Sequence, residues 1–291
     1  MDMNEYVIRE IPLDELPQWS PWPSRLLGHT EWKTVTRSVE KIAAEYDRDK
    51  YLRCLEFVEH AGHPVTMDDV KNFELGAPHA PDRCVSCRNR LFEMRADRVI
   101  SAHTQLLLDT VEPFMEGIDT VVEIGCGYGF NLWHLKERFP EKTYIGGEYS
   151  GNAITLSKKL LGNVTNISVA GCNFYDASYD VLEQCSPRSR VLVLTRHAIE
   201  QLPTAAPFLK TIERYFDRIA AVCHLEMMYG HYGNSLLGLL RRRYAEVNDY
   251  NRDVLDLLRG RSDVEIVAEE ADLMGIAPLN PTSLLVWRPR K

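Results

Sequence analysis

Gly125, Gly127 and Gly129 stand at alternate positions directly after the run Val121-Val122-Glu123-Ile124. Glycines so spaced let the backbone turn sharply and approach a ligand without Cβ clashes. The pattern is G-x-G-x-G, not the G-x-G-x-x-G of dinucleotide sites, and Glu123 precedes it by two positions. A carboxylate so near disfavours a phosphate and favours a cationic or zwitterionic ligand. A turn that only relieves packing, or one serving another nucleotide, is the competing reading. A second polar concentration comprises His197, Glu200, Gln201, His224 and Glu226. These fall at the carboxyl ends of two candidate strands, where open α/β sheets bind ligands. Glu226 is expected just beyond its strand, with Met227, Met228 and Tyr229 as a partly apolar wall. Further along, Glu246, Asp249 and Tyr250 would share one helix face, with Arg242 one turn earlier. A solvated face with Arg242–Glu246 pairing is the plainer reading. Asn248, Asp249, Tyr250 and Asn251 are poor helix formers, a cost tolerated where a polar substrate must be held. Thr282, in Asn280-Pro281-Thr282-Ser283, is a further rim residue or simply part of a strand-initiating turn.

The elements that must position these groups are legible in outline. From Asp119 onward, short apolar runs at 120–124, 143–146, 167–169, 190–194 and 219–223 alternate with helix-compatible stretches at 131–139, 152–161 and 204–215. That alternation predicts a parallel sheet covered on both faces. A long amphipathic segment spans 235–258, and strands at 264–268 and 283–287 close the chain. Before Asp119 the reading is helical. A proline-rich arm (1–30) carries Pro12, Pro17, Pro21 and Pro23 with Trp19 and Trp22. Three-to-four spacing of Val35, Val39, Ile42, Tyr46, Tyr51 and Leu55 gives a helix over 31–61. Thr66 with Asp68 and Asp69 caps a short helix toward Leu75, and 88–111 reads as another long helix. The expected fold is α/β: a doubly wound, seven-stranded, mostly parallel sheet (116–291) with an N-terminal helical cap or lid (1–115).

The 291 residues suffice for a core without disulfide or metal staples. A net charge of −8 argues against a nucleic-acid backbone as partner. Seven cysteines without a repeating spacing point to a reducing cytoplasm. No apolar leader follows Met1, and no apolar stretch reaches membrane-spanning length. His60, His63, Cys84 and Cys87 form two x2-spaced pairs that zinc would accept, although the histidine-first order is atypical, so no metal is expected.

From Asp119 onward, roughly the last 60% of the chain, the sequence resembles the class I S-adenosylmethionine-dependent methyltransferases. Their first motif is an acidic residue followed by G-x-G-x-G. The resemblance implies S-adenosylmethionine as cofactor, held by Glu123, Gly125, Cys126 and Gly127. Glu148 and Tyr149 then stand at the ribose, since Glu148 follows Glu123 by 25 residues at the end of the second strand. Asn173 and Phe174 stand at the adenine, with Asn where the family often has Asp. Thr195 and the following 196–202 segment stand at the methyl group and acceptor. No D/N-P-P-[YF] tetrad occurs there, which disfavours nucleobase and glutamine methylation.

On this basis His197, Glu200 and Glu226 are the catalytic candidates. Gln201, Tyr229, Glu246, Asn248, Asp249 and Thr282 are the substrate-binding candidates. Their excess of carboxylates predicts N-methylation of a cationic small molecule, an amine or a guanidino compound such as an arginine side chain. O-methylation of a hydroxyl with His197 as base is the alternative. A cofactor-binding partner protein without turnover is a third reading. The N-terminal module would act as a lid, with Trp32, Arg95 and Arg98 reaching toward the cofactor, or as a packing or homodimer surface.

Overall fold

Residues 3–32, 34, 36–76, 80–162 and 164–290 are described by the computed structural model of the protein. The β-branched runs after Asp119 become strands because both of their faces find cover. Val121 (with Leu192 and Leu194 of a neighbouring strand) packs into the core on one side of the sheet. Val122 and Ile124, with Val191 and Val193, pack into the core on the other. This is the period-two burial of a sheet sandwiched between helices, and each such aliphatic side chain contributes about 1.5–3 kcal/mol.

The strands are β1 (Val7–Ile11), β2 (Arg83–Cys87), β3 (Arg90–Met94), β4 (Thr120–Ile124), β5 (Thr143–Glu148), β6 (Ile167–Gly171), β7 (Val191–Arg196), β8 (Ile219–Glu226), β9 (Val264–Ala277) and β10 (Asn280–Pro289). They form one sheet in the order β1-β3-β2-β9-β10-β8-β7-β4-β5-β6. β4 to β8 are parallel to one another, and β10 returns antiparallel between β8 and β9. The strand order reverses at β4 and β7, the switch point where such sheets open a crevice beyond their carboxyl ends.

The expected sheet has seven strands; among the described residues it has ten. The additional three come from the segment expected to be helical. β2 and β3 pair antiparallel from Arg83↔Met94 to Cys87↔Arg90. Arg88 and Asn89, with φ of 49° and 60°, make the two-residue turn between them, the conformation a tight hairpin demands. That turn is held from outside: Asp272 of β9 accepts the amide of Arg88 with its carbonyl and that of Asn89 with its carboxylate. The expected 88–111 helix is therefore a strand followed by the helix Val99–Val111. The proline-rich arm also contributes β1, antiparallel to β3.

The expected helix over 31–61 begins at Val39, and its middle, Ala43–Tyr51, is wound as a π-helix. Val35 lies outside the described residues. Thr66 and Asp69 form the reciprocal cap of Met67–Glu74. The 235–258 segment is two helices, Leu236–Val247 and Val254–Arg259. Asp249 between them has φ of 52°, so the Glu246–Asp249–Tyr250 helix face does not form. Arg242 bonds Gly233 and Asn234, and it is Arg243 that pairs with Glu246.

Candidate active site

A cavity of about 400 Å³ opens at the switch point. Its floor is the turn after β4. Gly125 and Gly127 have φ of 81° and 56°, a region open to glycine at no steric cost. A Cβ on Gly125 would lie 2.4 Å from the Ala198 Cβ, and one on Gly127 would lie 2.6 Å from the Tyr51 hydroxyl. The turn must be glycine because two other segments already press on it.

Glu148, at the end of β5, is buried and faces the cavity. Its two oxygens accept the Gly127 amide at 2.7 Å and the Ser150 amide at 2.8 Å. Burial pushes its carboxyl up despite these amides. A carboxylate has about four acceptor positions, so further donors still fit. Tyr149, Asn173 and Phe174 complete this wall, with Cys126 at the floor.

The wall above β7 carries His197, Glu200 and Gln201. His197 Nδ1 lies 3.0 Å from Glu200 Oε2, and its Nε2 lies 2.7 Å from Thr282 Oγ1. Burial lowers the imidazole pKa, but the charge and hydrogen bond of Glu200 outweigh it, so the net direction is upward. Glu200 also accepts the Met227 amide and the Asn280 side-chain amide. Two buried carbonyl oxygens in this wall, Gln201 Oε1 and Asn280 Oδ1, have no partner.

Several expected site residues lie elsewhere, each for a physical reason. Glu123 is buried within β4, takes the Asn131 amide at 2.6 Å and does not line the cavity; burial pushes it up to about 7. Thr195 is buried and bonds His224, whose other nitrogen accepts the Trp287 indole N–H. Glu226 is the last residue of β8, not beyond it. Its carboxylate takes the amides of Ala198, Ile199 and Glu200, so it fastens the segment that carries His197 and does not reach the cavity. Tyr229 donates to Glu246, and neither faces the cavity. Arg37 bonds the Asn248 carbonyl through its guanidinium and Asp249 through its backbone amide. Tyr250 is the member of that segment that lines the cavity. Thr282 acts on the cavity only through His197.

The N-terminal segment supplies groups that the sequence did not mark. Tyr46, Asp47, Lys50 and Tyr51 of the π-helix, with Lys71 and Glu74, close the cavity over the glycine turn. Asp47 fastens this cover to the start of the helix Gly151–Leu161, accepting from the Ser150 hydroxyl at 2.6 Å and the Asn152 amide at 3.0 Å. Glu74 pairs with Lys50 at 2.8 Å and Lys71 at 3.0 Å. Burial raises its pKa, but the two lysines outweigh that and hold it at about 2. Trp32 packs on Trp22 and Arg25, Arg95 pairs with Asp97, and neither these nor Arg98 lines the cavity. His60 and His63 bond the carbonyls of Glu56 and Pro64. Among the described residues no three metal-ligating side chains converge, and all seven cysteines are free thiols. No helix among the described residues is long and apolar enough to cross a membrane.

The strand order and the glycine turn at its switch point define a Rossmann-like α/β fold with a ligand site at the usual edge. No family model matches the sequence, and no curated protein matches it. Similar solved structures include a SAM-dependent methyltransferase from Anabaena variabilis (15% identity, TM-score 0.49, covering 90% of this chain and 100% of that one). Others are magnesium protoporphyrin IX methyltransferase from Synechocystis with bound SAH (10%, 0.47, 67% and 87%) and a pyocyanin biosynthetic protein (15%, 0.47, 86% and 71%).

Proposed function

We propose that the protein is an S-adenosylmethionine-dependent methyltransferase that methylates a hydroxyl of a polar small molecule. The observation that carries this reading is the His197–Glu200 pair on the cavity wall, its Nδ1 held by a carboxylate and its Nε2 already meeting a hydroxyl oxygen.

The residues present fit the cofactor. Gly125 and Gly127 line the cavity with backbone that carries no side chain. Glu148 retains acceptor positions for ribose hydroxyls, and Asn173 and Phe174 offer an amide and a ring face for adenine. When bound, S-adenosylmethionine supplies an electrophilic methyl group on sulfur. The chain's own task is alignment and proton handling. For His197 to act as base, Nε2 must exchange the Thr282 hydroxyl for the acceptor's, whose proton it then receives, while Glu200 stabilises the resulting imidazolium through Nδ1. Gln201 Oε1 and Asn280 Oδ1 orient the acceptor through its other donors. The π-helical cover excludes water.

Cationic N-methylation rested on Glu200, Glu226, Glu246 and Asp249. All four are already engaged by groups of the protein, and only Glu200 lines the cavity. Transfer of labelled methyl to phenols, alcohols, carboxylates, amines and guanidines tests the reading, in wild type and His197→Ala. Turnover of hydroxyl compounds that depends on His197 is expected. Turnover of amines alone would overturn it, and cofactor binding without any turnover would favour a non-catalytic partner protein.

A further inference from the structure

The wall of the cavity carries a buried cation with no ion-pair partner among the described residues. Arg196 closes β7 and is 6% exposed. Its two terminal nitrogens donate to neutral acceptors, Asn131 Oδ1 at 3.0 Å and the His103 carbonyl at 2.8 Å. Its Nε–H has no partner, and neither does Nε2 of the adjacent buried His103. Among the described residues no carboxylate lies within ion-pair distance of the guanidinium. Asn131 stands between it and Glu123, its side-chain amide donating to Glu123 and accepting from Arg196. Beside it Lys71 shares the single carboxylate of Glu74 with Lys50. Among the described residues Glu74 is thus the one ion-pair partner that Lys50, Lys71 and Arg196 have between them.

A buried guanidinium with an unused N–H is costly unless an anion completes it. We propose that Arg196, Lys71 and His103 form a carboxylate subsite in the wall of the cavity. This inference rests on the methyltransferase reading and extends it to a ligand feature. Arg196 Nε–H and the Lys71 ammonium supply charge-assisted donors, and His103 supplies one neutral ring nitrogen. Glu74 and Glu148 in the same wall oppose a phosphate dianion and leave a monoanion favoured. The carboxylate comes either from the amino-acid end of the cofactor or from the acceptor.

Calorimetry separates these sources. S-adenosylhomocysteine and its decarboxylated analogue, which keeps the amine, are titrated into wild type, Lys71→Met and Arg196→Gln. 4-Hydroxybenzoate and 4-hydroxybenzamide are then titrated into protein saturated with S-adenosylhomocysteine. A wild-type preference for the acid of roughly 10–100-fold is expected in one arm, the range of one charge-assisted hydrogen bond. It should collapse in both variants. Preference in the first arm assigns the subsite to the cofactor, and preference in the second assigns it to the acceptor. Thermal melts check that the variants fold, and Lys71→Met carries the test if Arg196→Gln does not. Tight binding of S-adenosylhomocysteine with no acid preference in either arm overturns the subsite while leaving the methyltransferase reading intact. Absence of binding by both adenosyl ligands overturns that reading and the subsite with it.

Discussion

His197 Nδ1 sits 3.0 Å from Glu200 Oε2 within a turn that holds His197 at a φ of 50°. A non-glycine residue in that region is strained by about 1–2 kcal/mol. The turn is held in place by Glu226, whose carboxylate gathers three successive amides beneath it. Strain kept in place by a buried anchor is typical of a site that aims a side chain.

Removing the base should therefore matter more than removing its partner. His197→Ala should lower kcat by roughly 10²–10⁴-fold. Glu200→Gln should reduce it less and move the acidic limb of the pH–rate profile. Because Glu200 raises the imidazole pKa, its loss lets His197 deprotonate at lower pH, and the limb shifts to the acid side. A limb that stays in place would show that His197 is not the titrating base.

The glycine turn offers a paired test. Gly127→Ala brings a methyl within 2.6 Å of the Tyr51 hydroxyl and forces alanine to a φ of 56°. We expect S-adenosylhomocysteine binding to weaken at least about tenfold, a loss of about 1.4 kcal/mol. Tyr51→Phe removes the clashing oxygen, so the double variant should recover part of the affinity while the backbone strain persists. Equal losses in the single and double variants would mean that Tyr51 does not press on the turn.

The parallel part of the sheet was legible because each of its strands is a short local run with turn residues at its ends. β2 and β3 were not, because the Arg88-Asn89 turn carries no glycine and depends on Asp272, far along the chain. Within the site, the glycine turn and Glu148 were readable from their spacing. Thr195 and Arg196 show where such reading fails: neighbours on one strand point to opposite faces. Thr195 meets His224, whereas Arg196 reaches the cavity. The cover formed by Tyr46, Lys50 and Lys71 depends on how a π-helix and a capped helix dock, which local periodicity does not encode. The four carboxylates read as a cation site carried no label of their partners, and it is those partners that occupy them.

Arg241 and Asp272 join the added strands to the rest of the sheet. They pair at 2.9 Å with side chains 0% and 1% exposed, and Asp272 also takes the Ser86 hydroxyl. Arg241→Met strands a buried carboxylate, so unfolding by urea should show a loss of about 3–5 kcal/mol. Neither residue lines the cavity, so affinity for S-adenosylhomocysteine should hold in the folded fraction. Weaker binding without lost stability would contradict this division.

Glu123 predicts how stability responds to pH. It is wholly buried, with one oxygen on Asn131 and the other unpartnered. Burial lifts its pKa from 4.5 to about 7. A carboxyl raised on folding holds its proton more tightly in the native state. Its contribution is full below the unfolded value near 4.5 and is lost as pH rises through about 7. At about 1.36 kcal/mol per pH unit, that difference amounts to roughly 3 kcal/mol. Glu123→Gln keeps the shape and removes the proton. Relative to wild type it should gain stability between pH 5 and pH 8 by an amount of that order. Glu226, also raised to about 7 by burial and by Glu200, titrates in the same window in both proteins and cancels in the comparison. Denaturant midpoints measured at half-unit steps across the window supply the test. A constant gap between the two proteins would mean that Glu123 is already ionised in the fold, with Arg196 providing its counter-charge through Asn131.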